Sequence, residues 1–121
     1  MYKILIAEDE PRVIAFVEKG LRKQGFSTTV ASNGAQALQA VQLESYDVIL
    51  LDLGLPVQDG WTVLKTLREQ ANECPVIVVT ALAEASRQDV LAAGAQDLVS
   101  KPFQFQQLLA AVQTQLKQVR R

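Results

Sequence analysis

Apolar residues run almost without interruption through residues 2–7 (YKILIA), 46–51 (YDVILL) and 75–80 (PVIVVT). Strands buried on both faces have this character, because neither side of the pleat meets water, and a parallel sheet covered by helices buries both. Residues 26–31 (FSTTVA) alternate instead, with Ser27 and Thr29 sharing one face, which predicts an edge strand. The short stretch 97–100 (DLVS) predicts the opposite edge.

Between these runs the period becomes helical. Val13, Phe16, Val17 and Leu21 fall at i, i+3, i+4 and i+8 after Pro11, a residue suited to a first helical turn. Leu38 and Val41 mark a second helix opened near Ser32 and Asn33, and Trp61, Leu64 and Leu67 mark a third after the QDG triplet. Residues 84–94 (EASRQDVLAAG) predict a fourth, closed by Gly94 just past its C-cap. Phe105, Leu108, Leu109, Val112, Leu116 and Val119 give the last and clearest stripe. Strand and helix alternate five times, and right-handed crossovers then give an α/β fold, a parallel sheet with helices on both faces. No linker or repeat interrupts the pattern, so residues 1–121 read as one domain.

Polar residues break the pattern at the strand ends. The first strand ends in Glu8, Asp9 and Glu10, the third in Asp52, the fourth in Thr80 and the fifth in Ser100 and Lys101. In a parallel sheet those ends lie along one edge, where open α/β folds bind their ligands. Singly, each residue has a local use: Asp9 or Glu10 as a cap for the helix at Pro11, Asp52 in a turn, Thr80 as the next helix cap, Lys101 as a solvated cation. Turn chemistry does not require three carboxylates and a cation to converge.

Composition narrows the chemistry. With 121 residues, 49% of them apolar and 21% charged, the chain can close a core without staples. Twelve Lys and Arg against thirteen Asp and Glu leave a formal charge of −1, so no general field draws the protein to nucleic acid or to a membrane surface. The single cysteine, Cys74, excludes an internal disulfide and reads as a small buried hydrophobe at a strand start. The N-terminus lacks the pattern of a signal peptide, and no run reaches the roughly 18 apolar residues of a membrane helix, so a cytoplasmic protein is expected.

Clustered carboxylates repel one another unless a cation intervenes. An all-oxygen set favours a hard ion, and Mg²⁺ tolerates few protein ligands because it keeps several waters; with no histidine in the chain, zinc has no ligands here. A metal beside an aspartate, with a hydroxyl and a lysine facing it, is suited to phosphoryl transfer onto that aspartate, with Asp52 as nucleophile. The chain has no histidine to carry the group first, so another molecule must bring it.

The stretches ILIAEDE, DVILLDLGLPVQDG, PVIVVTA and GAQDLVSKPF resemble, in order and spacing, the receiver domain of bacterial two-component response regulators. The resemblance covers about residues 3–117. It implies a flavodoxin-like, doubly wound sheet of order 2-1-3-4-5 with five helices, and a phospho-acceptor signalling domain that assists its own phosphorylation and dephosphorylation rather than an enzyme. Position by position it implies Glu8 and Asp9 as the acidic pair at Mg²⁺, Asp52 as the phosphorylated residue, Thr80 as the switch hydroxyl and Lys101 as the active-site cation. Pro102 would follow a cis peptide bond. The Gly54 carbonyl would be a further metal ligand, and the N–H groups of Leu53 and Ala81 would meet the phosphoryl oxygens. Gly54 and Leu82, two residues past Asp52 and Thr80, would govern access of water. The donor would be a phosphohistidine on a sensor histidine kinase or phosphotransfer protein. Two rivals fit poorly: a haloacid dehalogenase-type phosphatase needs an acid where Gly54 stands, and a flavodoxin needs a hydroxyl-rich loop where the chain has AEDEPR. The remaining alternative is a receiver-fold interaction module acting without phosphorylation.

The ending KPFQFQQLLAAVQTQLKQVRR resembles the subfamily whose receivers carry a winged-helix output domain and dimerise through the fourth helix, fifth strand and fifth helix. Arg87 and Asp97 occupy two of the interface charge positions, but Gln107 and Ala111 stand where their usual partners would be, and Leu98 replaces the switch aromatic. The expectation is a monomer or weak dimer that binds no nucleic acid itself. It would act on a downstream protein or on an output domain beyond this chain, with Gln96, Gln104, Gln106 and Gln107 either solvated or facing a partner.

Overall fold

The computed structural model describes residues 1–81 and 85–119. Strands and helices alternate in chain order: β1 (Lys3–Ala7), α1 (Pro11–Lys23), β2 (Ser27–Ala31), α2 (Gly34–Leu43), β3 (Val48–Leu51), α3 (Gly60–Glu69), β4 (Val76–Thr80), α4 (Arg87–Ala92), β5 (Asp97–Ser100) and α5 (Phe105–Val119). The sheet runs β2-β1-β3-β4-β5, and every neighbouring pair is parallel. The fold is the flavodoxin-like one.

Successive side chains of a strand point to opposite faces, so each central strand feeds two cores. Leu5, Ile49, Leu51 and Val78 pack with Ala37 of α2, with Val63, Leu64 and Leu67 of α3 and with Val90 of α4. Ile4, Ile6, Leu50 and Ile77 pack on the other face with Val17 and Leu21 of α1 and with Leu108, Val112 and Leu116 of α5. This double burial is why β1, β3 and β4 lack alternation. Apolar burial on both faces, at about 25 cal/mol per Å², is the main stabilising term.

Three expectations change in detail. β2 and β5 are the edges, but Ser27, Thr28, Thr29 and Val30 are all half-buried, so exposure does not alternate along β2. On the Thr28 face α1 supplies polar cover: Thr28 Oγ1 donates to Glu18 at 2.9 Å and accepts from Arg22 Nε at 3.1 Å. Phe16 lies on the α1 stripe yet is 48% exposed, at the border of the core, where its ring meets Phe103 and Phe105 with centroids 6.1 Å away in each case. The fourth helix is shorter than its sequence segment, because Ser86 caps it by accepting the Asp89 N–H at 3.0 Å. Gly94 ends it with φ +110°, as the residue past the C-cap. Glu84 and Leu82 lie outside the described residues.

Candidate functional site

Backbone hydrogen bonding between strands extends one residue beyond β1, β3 and β5. The N–H of Glu8 donates to Ala31, that of Asp52 to Ala7 and that of Lys101 to Thr80, each at 3.0 Å. Glu8, Asp52 and Lys101 are thereby held on one sheet edge by backbone rather than by flexible loops, and Thr80 joins them as the last residue of β4. Glu8, Asp52 and Thr80 are almost fully buried, at 3%, 7% and 3% exposure.

The four side chains meet. Lys101 Nζ lies 2.9 Å from Glu8 Oε1, 3.2 Å from Asp52 Oδ2 and 3.5 Å from Glu10 Oε1. Thr80 Oγ1 donates to Asp52 Oδ1 at 3.3 Å, and the Gly54 N–H donates to the same oxygen at 3.1 Å. One carboxylate thus has a hydroxyl and an amide on one oxygen and an ammonium on the other. Asp52 does fix a turn, through Gly54. Thr80 is not a helix cap, since Ser86 holds that role for α4.

Burial pushes the Glu8 carboxyl above the usual range, the nearby Asp52 charge adds to this, and the hydrogen bond from Lys101 opposes it. Burial alone would lower the Lys101 pKa. Hydrogen bonds and charge from Glu8 and Asp52 outweigh it, and the net shift is upward. The ammonium is the internal counter-ion of the cluster.

Glu8, Glu10 and Asp52 bring carboxylate oxygens within 4.8 Å of one another, a set that could hold a hard cation. Asp9, expected in that role, is exposed and stands outside this group. Glu10 occupies the N-cap position of α1 but makes no side-chain cap bond; its N–H instead donates to Glu8 Oε2 at 3.2 Å. Spacing alone could not reveal that, because it does not say which of two adjacent acids turns back over the sheet edge. Leu53 is buried, Gly54 and Ala81 are exposed, and Lys101–Pro102 is a cis peptide bond. Leu98, register partner of Val78, is half-buried against the α2–α3–α4 core rather than open to solvent.

The family model described as the response regulator receiver domain matches residues 4–113. The chain belongs to the receiver-domain family of response regulators. Receiver domains of this family serve two-component signalling and are not enzymes in the ordinary sense. The chain is 39% identical over 122 residues to the transcriptional regulatory protein PcoR of Escherichia coli, covering 99% of this chain and 54% of PcoR. It is 42% identical over 116 residues to the transcriptional activator protein IrlR of Burkholderia pseudomallei, covering 95% of this chain and 50% of IrlR. It therefore spans about half the length of the curated relatives it matches. Among solved structures, the Francisella response regulator 1452 receiver domain superposes with TM-score 0.94 at 33% identity, covering 99% of this chain and 100% of that one. The receiver domain of sensor histidine kinase PA1611 from Pseudomonas aeruginosa, which holds a magnesium ion in its active-site cleft, superposes with TM-score 0.87 at 34% identity, covering 96% and 98%. Among the described residues of this receiver, no helix is long and apolar enough to cross a membrane.

Proposed function

We propose that this receiver accepts a phosphoryl group on Asp52 from a phosphohistidine of a sensor kinase or phosphotransfer protein. The observation that carries this is the placement of Thr80 and Lys101 on opposite oxygens of one buried carboxylate. In the transfer, an Asp52 oxygen attacks phosphorus; a P–O bond forms as the P–N bond to the donor imidazole breaks, and the imidazole leaves with the electron pair. Lys101 neutralises charge on the transferred oxygens, Thr80 donates its hydroxyl to one of them, and the N–H groups of Leu53 and Ala81 donate to others.

Mg²⁺ fits the donor set, which is all oxygen. Glu8, Asp9, Asp52 and the Gly54 carbonyl would hold it, and it would neutralise the phosphoryl oxygens together with the clustered carboxylates. The magnesium in the PA1611 receiver supports this reading, and so does the proximity of Glu8 and Asp52. Glu10 is the competing ligand on geometry.

Phosphorylation would then alter protein contacts rather than turn over a substrate. Thr80, Leu98 and Pro102 would carry the change toward α4, β5 and α5, and the output would be a downstream protein or an attached domain, in the cytoplasm, with residues 1–121 acting as one unit. The test is intact mass after incubation with acetyl phosphate and Mg²⁺. A gain of one phosphoryl group in the wild type and none in Asp52→Asn is expected. An Asp52→Asn protein that still gains the group overturns the assignment, and a wild type that gains none favours the interaction module that works without phosphorylation.

A further inference from the structure

The loop from Asp52 to Gly60 is anchored by the buried Leu53 and Leu55, and its exposed tip contains a strained turn that the side chain at its centre does not hold. The Gln58 N–H donates to the Pro56 carbonyl at 2.9 Å, closing a three-residue turn with Val57 at φ +72°. A positive φ is unfavourable for a β-branched residue, and this turn is rare. Val57 is 77% exposed, so packing of its side chain does not offset the strain. Beyond the anchor at Leu55, the turn has support from outside the loop.

The external support is the first turn of α2. The Gly34 N–H donates to the Pro56 carbonyl at 3.2 Å. Gly34 also lies flush on the Gln58–Asp59 peptide, where a Cβ would stand 1.8 Å from the Gln58 carbonyl oxygen. That first turn is itself fixed: Asn33 accepts the Gln36 N–H at 2.8 Å, and Gln36 Oε1 accepts the Ser32 N–H at 2.8 Å. At its base, the loop is closed by the Gly60 N–H on the Leu53 carbonyl at 2.9 Å. Gly54 lies between the base bond and the buttressed tip. A backbone carbonyl has no rotamer with which to aim itself, so its direction is set by the loop that carries it.

We propose that Gly34 is a positioning residue for the metal site: through its contact with Pro56 and Gln58 it fixes the loop that aims the Gly54 carbonyl and presents Asp52. The inference rests on the reading of Gly54 and Asp52 as metal ligands. It makes the β2–α2 junction part of the site although it contributes no group to the metal.

Melting temperature measured against Mg²⁺ concentration separates the two roles, because its intercept reads fold stability and its concentration dependence reads affinity. Gly34→Ala is expected to weaken Mg²⁺ binding about 10- to 100-fold, the usual cost of losing an outer support of a metal ligand. Gly94→Ala is the matched control: position 94 has φ +110° and packs on Arg68, so the change destabilises the fold away from the site, and its Mg²⁺ affinity should stay at the wild-type value. If Gly34→Ala does not fold, Asn33→Ala, which removes the α2 cap without inserting bulk, should weaken Mg²⁺ binding in the same direction. Unchanged affinity in whichever of the two folds, or an equal loss in Gly94→Ala, overturns the inference and leaves the metal assignment standing. A wild type whose melting ignores Mg²⁺ overturns both.

Discussion

Lys101 Nζ lies 2.9 Å from Glu8 Oε1, and both side chains are almost out of water, 11% and 4% exposed. The pair matters less for its attraction than for what its loss would leave. Glu8 and Asp52 would be two buried carboxylates without a cation, and removing one partner of a buried pair costs about 3–5 kcal/mol. Lys101→Ala is therefore expected to destabilise the Mg²⁺-free protein by about that amount. Mg²⁺ should then recover more stability in the variant than in the wild type, because it would supply the missing charge. Urea denaturation with and without Mg²⁺ measures both. A loss below about 1 kcal/mol, as for a surface pair, would contradict the role of Lys101 as internal counter-ion.

Which acid joins Asp52 at the metal is decided by a pair of isosteric changes. Glu10 is 60% exposed and already lies 3.5 Å from the Lys101 ammonium. Its charge also sits at the start of α1, where the helix dipole favours it without any metal. Asp9→Asn is expected to abolish the Mg²⁺ dependence of melting, whereas Glu10→Gln should shift it little. The reverse result would move the ligand set to Glu8, Glu10 and Asp52.

Cys74 should be inert at neutral pH. Its Sγ donates to the Tyr46 carbonyl at 3.2 Å, and burial pushes the thiol up to about 12. Reaction with a disulfide reagent at pH 8 should be far slower in the native protein than in urea, since the thiolate is the reactive form. The folded pKa lies above the unfolded one, so the contribution of this group is fully present below about pH 9 and is lost as pH rises toward 12. Stability should fall more steeply across that window in the wild type than in Cys74→Ala. Equal slopes would show that the thiol does not titrate with folding.

The sheet and most of the candidate site were legible because each rests on a feature local in sequence. Double burial removes polar residues from β1, β3 and β4, and a charged or hydroxyl side chain at the end of such a strand stands out, as Glu8, Asp52 and Thr80 do. What escaped depends on distant partners. Gln96 reads from sequence as solvated or partner-facing, yet its Oε1 accepts the Val76 N–H at 2.7 Å and an Arg68 N–H at 3.1 Å, from residues 20 and 28 positions away. Arg68 also donates twice to the Gly94 carbonyl, tying α3 to the end of α4. Gln107 Oε1 accepts the Gln104 N–H at 2.9 Å at the start of α5. Gln96 and Gln107 thus spend their side chains within the fold, which weakens the case for a glutamine-lined partner face. The buttress at Gly34 was equally hidden, since a glycine carries no mark of the peptide pressed against it.

The charges on the α4–β5 face answer each other within one chain. An Arg87 guanidinium N–H donates to Asp97 Oδ1, joining the first turn of α4 to the start of β5. With Arg87 59% exposed the bond is weakly stabilising, and breaking it should cost no more than about 1 kcal/mol. Its larger effect concerns association. An intermolecular pair would have to break this internal one and find an opposite charge at positions 107 or 111. Gln107 is neutral and engaged with Gln104, and Ala111 is 8% exposed and has nothing to offer a charge. Activation is therefore not expected to drive a dimer through these two residues. Light scattering on protein treated with beryllofluoride and Mg²⁺, which mimics the phosphoryl group on Asp52, should return the same mass as untreated protein. Arg87→Ala and Asp97→Ala should leave that mass unchanged while lowering stability slightly. A clean shift to dimer that both substitutions abolish would overturn this, because it would mean that the internal pair opens on activation and that each residue finds another partner across the interface.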